Sequence, residues 1–377
     1  MDTDFVTRLP ENDIAAAGVA QLRKFGVGTG HIAYGGERMG VFYVEKGASQ
    51  RPSKVVYDRK YSSIAQCSYE DFDWEAIFAG ASNFHMTGIT PALSKTIPQV
   101  CIQACKKAKE MGLTISCDLN YRKNLWTEAE AKACMTQLMP YIDILVANEE
   151  DAEKVLGIKA RDTDVTQGKL NREGYVDVAE QICQTYGTKM VAVTLRRSIS
   201  ASDNEWSAML YTGGQPYFSR QYMVHLVDRV GGGDSFTAGL LYGVMNGYGP
   251  QETIEYAAAA SCLKQTMEMD FNLSTADEVK RLVAGDGSGL HLDRRCTVLE
   301  AAAMANSLIL NLYDWQDAGS LGLLWRADNG RGNVLYLLGS IHTDRNNLYP
   351  FHKQLRDVIL NAEQVSFELD FNDTDQL

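Results

Sequence analysis

One stretch constrains the chain more than any other: Asp228-Arg229-Val230-Gly231-Gly232-Gly233-Asp234-Ser235-Phe236-Thr237-Ala238-Gly239. The alternating run before it, Tyr222-Met223-Val224-His225-Leu226-Val227, predicts a strand. After it, Phe236, Leu240, Leu241 and Val244 share one helical face. Gly231, Gly232 and Gly233 therefore stand where a strand turns straight into a helix. Glycine lets the backbone turn sharply there and leaves N–H groups uncovered, and the helix dipole adds partial positive charge. Such a tip favours a phosphoryl group, and Asp234 in the first helical turn can take a proton from an attacking hydroxyl. A bare glycine turn capped by an aspartate is the plainer reading of the same residues.

With 377 residues there is room for two domains, or for one large domain and a fragment. A net charge of −12 argues against nucleic acid or an anionic membrane as general partners, so an anionic substrate needs a local basic pocket. The eight cysteines are scattered through apolar runs. Cys101 and Cys105 are spaced for a helix face, but no second pair at metal spacing follows, which predicts buried free thiols in a reducing compartment. No apolar run reaches transmembrane length and no signal peptide is visible, so the expectation is a cytoplasmic protein.

Along the chain, Phe5–Leu9 reads as a strand end and Pro10–Asp13 as a helix start, with Ile14, Val19, Leu22 and Phe25 as the buried face. Short alternating runs at Met39–Glu45 and Ser53–Tyr57 suggest a small β lid. From Ser82 onward strands and helices alternate. Strands are predicted at Ser82–Met86, Leu113–Asp118, Ile142–Val146 and Met190–Leu195, and helices at Ser94–Met111, Glu128–Met139, Glu149–Leu156 and Val176–Tyr186. That is a doubly wound, mostly parallel sheet covered on both faces. A hairpin is expected over Trp206–Phe218, and helices over Pro250–Met267 and Thr275–Ala284. A glycine-rich linker, Gly285–Gly289, precedes an α+β segment: a helix at Val298–Leu312, a hairpin from Leu321–Ala327 and Asn333–Leu338, a helix at Leu348–Ala362 and a strand at Gln364–Leu369.

The glycine stretch resembles the signature of ribokinase-like sugar kinases, the PfkB family, and within it the 2-keto-3-deoxygluconate kinases. The likeness covers roughly Phe5 to Gly289, and it implies that Asp234 is the catalytic base beside Gly231, Gly232 and Gly233. Met86–Leu93 resembles a strand-end loop of those kinases, and Cys117–Trp126 their Asp-x-Asn-x-Arg segment, which implies sugar-acid contacts at Asn120 and Arg122. Just past a parallel strand, the Arg122 guanidinium suits a carboxylate. Tyr43 and Arg59 correspond to further substrate contacts. Asn148-Glu149-Glu150-Asp151 resembles the Asn-x-x-Glu motif tied to magnesium and phosphate, with Asp151 in place of glutamate. Thr194 and Arg196 fall where the family has Val-Thr-x-Gly before the nucleotide, with Arg196 replacing the glycine, and Asn272 falls near its adenine pocket. ATP and Mg²⁺ are the cofactors so implied. The family's upstream strands with a Gly-Gly-x-x-x-Asn motif have no counterpart, so residues 1–289 are expected to be an N-terminally incomplete kinase domain.

Residues 290–377 carry a second resemblance. Leu323–Arg326, Tyr336–His342 and Phe367–Asp370 resemble the opening of the TraB/GumN family, metal-dependent hydrolases with Gly-x-x-His elements and a strand-end glutamate. His342 and Glu368 match those positions, but two ligands are too few for a stable site and the second Gly-x-x-His is absent. The expected function is ATP-dependent phosphorylation of a sugar acid, 2-keto-3-deoxygluconate to its 6-phosphate. It would work on a small-molecule sugar acid and ATP, with neither nucleic acid nor membrane as a partner, and with self-association into a homo-oligomer left open. The competing readings are an inactive sugar-binding remnant, a TraB/GumN-like hydrolase, and another sugar kinase such as a fructokinase.

Overall fold

The computed structural model describes residues 2–148, 151–160, 172–285, 287, 324–328 and 334–338. The chain divides into two compact units, Met1–Leu292 and Asp293–Leu377. In the first, β1 (Thr7–Leu9) pairs in parallel with β2 (Ile32–Tyr34) across helix α1 (Asp13–Lys24). The Asn12 side chain accepts from the Ala15 amide and caps α1. The buried stripe of α1 starts at Ala15 and continues at Val19, whereas Ile14 is 65% exposed. Expectation and structure differ there because Ala15 and Val19, four apart, set the helical phase, and Ile14 falls beside it. Phe25 lies past the helix end and stacks on Phe271 at 4.4 Å between ring centroids.

The expected lid forms as a separate antiparallel pair, β3 (Val41–Glu45) with β4 (Lys54–Asp58). After α2 (Trp74–Phe78), the main sheet begins with β5 (Asn83–Thr87), α3 (Ile97–Glu110), β6 (Thr114–Asp118), α4 (Glu128–Leu138) and β7 (Ile144–Ala147). Where a helix is predicted over Glu149–Leu156, a π-helical turn spans Ala152–Leu156. The unit continues with α5 (Arg172–Tyr186), β8 (Met190–Ser198), β9 (Asp203–Thr212), β10 (Gln215–Phe218), β11 (Tyr222–His225), α6 (Gly232–Met245), α7 (Pro250–Lys264) and α8 (Ala276–Val283). The sheet order is β10-β9-β8-β7-β6-β5, with β11 also on β9. β5 to β8 are parallel, and β9 turns the sheet antiparallel. This is the doubly wound, mostly parallel sheet expected from the alternation, in the ribokinase-like form that the family resemblance implies.

Side-chain alternation explains why both faces are covered. In β7, Leu145 and Ala147 join the core under α3 and α4, while Ile144 and Val146 join the core under α6 and α7. β8 and β9 divide likewise, Val191, Val193 and Met209 to one side, Ala192, Trp206, Ala208 and Leu210 to the other. The seven described cysteines are free thiols, all buried but the half-buried Cys183, and burial pushes Cys105 up to about 12. Among the described residues no helix is long and apolar enough to cross a membrane. In the second unit, β12 (Leu324–Asp328) pairs antiparallel with β13 (Val334–Leu338), the predicted hairpin. The remaining predicted elements of that unit lie outside the described residues.

Phe236, in the first turns of α6, is fully buried between the sheet and α7. Phe236→Ala should destabilise the first unit by about 3–5 kcal/mol, read as a lower denaturant midpoint at unchanged slope.

Candidate active site

The glycine turn is held from below. Gly231 caps α6 with φ +77°, and a Cβ there would meet the Asp270 carbonyl oxygen at 2.2 Å, so only glycine fits. The buried Asp228 carboxylate accepts from the amides of Val230 (3.0 Å) and Met269 (3.2 Å) and pairs with Lys46 at 2.9 Å. Beneath it lies Lys264, fully buried, whose ammonium donates to the Met267 carbonyl at 3.3 Å and whose pKa is lowered by that burial. Ser261 donates to the Gly232 carbonyl at 2.7 Å, and Ser235 to the Ala260 carbonyl at 3.2 Å, tying α6 to α7.

What is left free points outward. No side chain caps α6, and the Gly233 and Asp234 amides have no acceptor among the described residues. Gly233 has nothing within 4 Å of a built Cβ, and Asp234 beside it is exposed. Gly232 and Gly233 line a cavity of about 580 Å³. It opens at the carboxyl ends of β6, β7 and β8, the position where open α/β sheets receive ligands.

Each strand end supplies a distinct chemistry. After β6 come Asp118, Asn120 and Arg122. Asn120 is left-handed at φ +41°, its amide donating to Asp118 at 3.1 Å and its side chain to Thr87 at 3.3 Å. Asparagine tolerates that conformation, and the bend carries Arg122 to the cavity wall. After β7 come Asn148 and the buried Asp151, whose amide donates to Asn148 at 2.9 Å, so Asn148 does cap the following turn. From β8 come Thr194 and Arg196. Asp118 is pushed up to about 7, chiefly by burial and then by the carboxylates of Asp151 and Asp234, against the downward pull of the Asn120 amide and Arg122.

Five sequence candidates are not on the cavity wall: Gly231 and Asp234, which flank the lining residues Gly232 and Gly233 at the α6 tip, and Arg59, Tyr43 and Asn272. Arg59 does not line the cavity; its guanidinium lies over the rings of Tyr57 (4.6 Å) and Phe42 (5.5 Å). Burial first, and then the charge of Arg122, hold Arg59 below its usual value. Tyr43 is 65% exposed on the lid and away from the wall, where Tyr57 stands instead. Asn272 also stands off it, its side-chain N–H₂ donating to Ser235 (2.6 Å) and the Ala260 carbonyl (3.1 Å) and its oxygen accepting from Ser274. That makes it a brace for α6 rather than a surface for adenine. His342 and Glu368 lie outside the described residues. Residues that the sequence reading passed over are Tyr57, Asp118, Asn204, Trp206 and Arg229 on the wall. Only Asp118 carried a signal, as the strand-end acid of a motif already quoted.

Bare amides for a phosphoryl group, a nearby carboxylate for a hydroxyl proton and arginines for an anionic substrate make this the cleft of a carbohydrate kinase. Residues 1–274 match the pfkB family carbohydrate kinases, and the chain belongs to that family. It is 29% identical over 287 residues to the 2-dehydro-3-deoxygalactonokinase of Haloferax volcanii, covering 76% of this chain and 83% of that one. The crystal structure of 2-dehydro-3-deoxygluconokinase from Thermotoga maritima superposes with a TM-score of 0.72 at 51% identity, over 75% of this chain and 84% of that one. A putative ribokinase II from E. coli in complex with ATP and Mg²⁺ shares the fold, with a TM-score of 0.60 at 19% identity over 75% and 83% of the two chains. Residues 323–377 match the TraB/PrgY/gumN family.

Asp118 offers a check that needs no substrate. An unfolded aspartate titrates near about 3.9. Between about pH 4 and 7 the folded chain therefore keeps a proton that the unfolded chain has lost, and this contribution to stability falls as pH rises through that window. His85, pushed down to about 4 by burial, slopes the opposite way below about pH 6.5. Comparing melting temperatures of wild type and Asp118→Asn without divalent cations isolates the first term: the variant should gain on wild type from about pH 5 to 7.5 and no further above that.

Proposed function

We propose that the chain transfers the γ-phosphoryl group of ATP to a hydroxyl of a 2-keto-3-deoxy sugar acid, with 2-keto-3-deoxygluconate going to its 6-phosphate. The observation that carries this reading is the Arg122 guanidinium on the wall of the same cavity that Gly232 and Gly233 of the α6 tip line, with Arg59 near enough to feel its charge. A neutral hexose has no group for two guanidiniums, whereas a carboxylate accepts parallel hydrogen bonds from such donors. The relatives named for 2-dehydro-3-deoxy sugars point the same way.

In this reading Arg122 and Asn120 orient the acid, with Arg59 and the lid residue Tyr43 closing over it. Asp234 accepts the proton of the attacking hydroxyl as its oxygen bonds to the γ-phosphorus. The bond to the β-phosphate oxygen breaks and ADP leaves with the electron pair. The free Gly233 and Asp234 amides stabilise the charge on the transferring group. Thr194 and Arg196 face the nucleotide. Mg²⁺ fits the hard oxygens of Asn148, Asp151 and Asp118, and among the described residues no cluster of His, Cys, Asp or Glu cages a metal, as suits an ion that keeps water and phosphate ligands. When bound, that ion neutralises phosphate charge. The reading also divides the chain into a kinase part, 1–289, and a TraB/GumN-like part, 290–377, supported by the two compact units and the two family matches.

Asp234→Asn should lower kcat by about 10²–10⁴-fold while leaving the dissociation constant for the sugar acid within about threefold. Undiminished turnover in that variant would remove Asp234 from the base role. Arg122→Met should raise KM for 2-keto-3-deoxygluconate by about 10–100-fold, the loss of a charged hydrogen-bonded contact, with little change in kcat. A wild type that prefers fructose, or phosphorylates nothing, would favour a fructokinase or a binding remnant instead.

A further inference from the structure

Lys264 takes no part in the reaction as described, yet it is one of the largest side chains that the fold seals completely from water. It ends α7, where a helix C-terminus favours a cation. Burial works against its charge, Asp228 and Asp270 favour it, and Lys46 opposes it. The Asp228 carboxylate itself pairs with Lys46. Among the described residues the Lys264 ammonium is left to backbone oxygens, the Met267 carbonyl at 3.3 Å and the Asp228 carbonyl at 3.5 Å. A buried charge held in this way is a poor stabiliser, and an apolar side chain of similar volume commonly serves a fold as well or better. Its use therefore lies in what it orients.

Two segments lie side by side around it. The Gln265 carbonyl accepts from the amides of Val227 (2.9 Å) and Asp228 (3.2 Å), and the Asp228 carboxylate accepts from the Met269 amide at 3.2 Å. Further along, the Asp270 carbonyl faces Gly231 so closely that a Cβ would lie 2.2 Å from its oxygen. Within this clasp the Asp228 and Met267 carbonyls turn toward the same sealed ammonium. Two carbonyl dipoles aimed at one buried point repel each other, and a cation at that point reverses the sign. In a trans peptide the N–H points away from the C=O. Fixing the Asp228 carbonyl toward Lys264 therefore fixes the Arg229 N–H away from it and sets the direction from which the glycine turn starts.

We propose that Lys264 is a positioning residue for phosphoryl transfer: its ammonium gathers the Asp228 and Met267 carbonyls and so holds the Gly231 turn in the shape that bares the Gly233 and Asp234 amides. The proposal rests on the kinase reading for the reaction it serves. Lys264 does not line the cavity, although its neighbour Gln265 does. It therefore acts through the turn and touches neither the phosphoryl group nor the sugar acid. Because the sugar acid's contacts at Asn120 and Arg122 belong to the end of β6, loss of the ammonium falls on kcat and spares KM for the acid. The charge is what matters: a neutral amide donor in its place can reach one carbonyl but does not attract both.

The test compares Lys264→Met and Lys264→Gln with wild type on the full chain, by steady-state kinetics, thermal melting and amide hydrogen exchange. Both variants should lower kcat by about 10–100-fold, the scale of a small misplacement at a reacting centre, with KM for the sugar acid within about twofold. Both should melt within about 4 °C of wild type, since the charge removed was a desolvated one. Exchange should quicken at the amides of Val227, Asp228, Val230, Gly232 and Ser235, which donate within the clasp and the turn, and stay unchanged in α3 and α4. Wild-type turnover in Lys264→Gln overturns the role of the charge, and wild-type turnover in Lys264→Met overturns the proposal outright. A lower melting temperature with exchange quickened throughout the unit would make Lys264 a structural residue and overturn it as well. A wild type that phosphorylates no sugar would sink the kinase reading, and the exchange of residues 226–236 would still decide whether Lys264 sets the turn.

Discussion

The buried Asp228 carboxylate is the contact on which the site depends. It stands where a strand must end and a helix begin within a few residues, and it satisfies two amides and one ammonium in doing so. An unpaired buried carboxylate would be costly, and so would the buried ammonium of Lys264 without the carbonyls around it. Each charge makes the other tolerable, since Asp228 favours the protonated form of Lys264 against the desolvation that opposes it. The consequence is local rigidity. The turn keeps its positive φ at Gly231 and its exposed amides because the groups that could cap them are engaged below.

That brace also links parts distant in sequence. Lys46 follows the lid strand β3, Asp228 precedes the glycine turn, and Met267 to Asp270 follow α7. The Ser49 amide and carbonyl further tie the lid turn to Ser202 and Ala201 at the β8–β9 turn. The lid that carries Tyr43, Tyr57 and the Phe42 under Arg59 is thus anchored at its far end to the segment that presents the phosphoryl-binding amides. Lys46 is half exposed and Asp228 is not, so the pair is stronger than an ordinary surface ion pair and weaker than a sealed one.

Much of this was legible in the residues. The alternation from Ser82 to Leu195 defined four parallel strands to within a few residues at either end, because parallel strands buried on both faces are continuous apolar runs. The glycine turn was legible because its chemistry is local. What escaped notice depends on pairing across the sheet or on short contacts. β2 is three residues long, too brief for any period to show. Trp206 and Asn204 alternate like any strand residues, and only the register with β8 puts them beside Arg196. Asn272 falls at a family position, yet nothing local announces that its amide turns inward to Ser235.

The electrostatics of the cleft follow from an opposition that no single residue resolves. Asp118 keeps its proton near neutrality chiefly through burial, to which the charges of Asp151 and Asp234 add, while Arg122 and Arg196 line the same cavity from the ends of β6 and β8. Were the arginines nearer, they would neutralise the acids directly, and neither an anionic substrate nor a cation would find a vacant partner. The parallel sheet prevents that collapse, because strand spacing keeps the ends of β6 and β8 about 10 Å apart with β7 between them. Arg122 and Arg196 are thereby held at separate strand ends, with the acids that follow β6 and β7 on the wall between them. The fold supplies the distance, and the distance keeps the charges available for ligands.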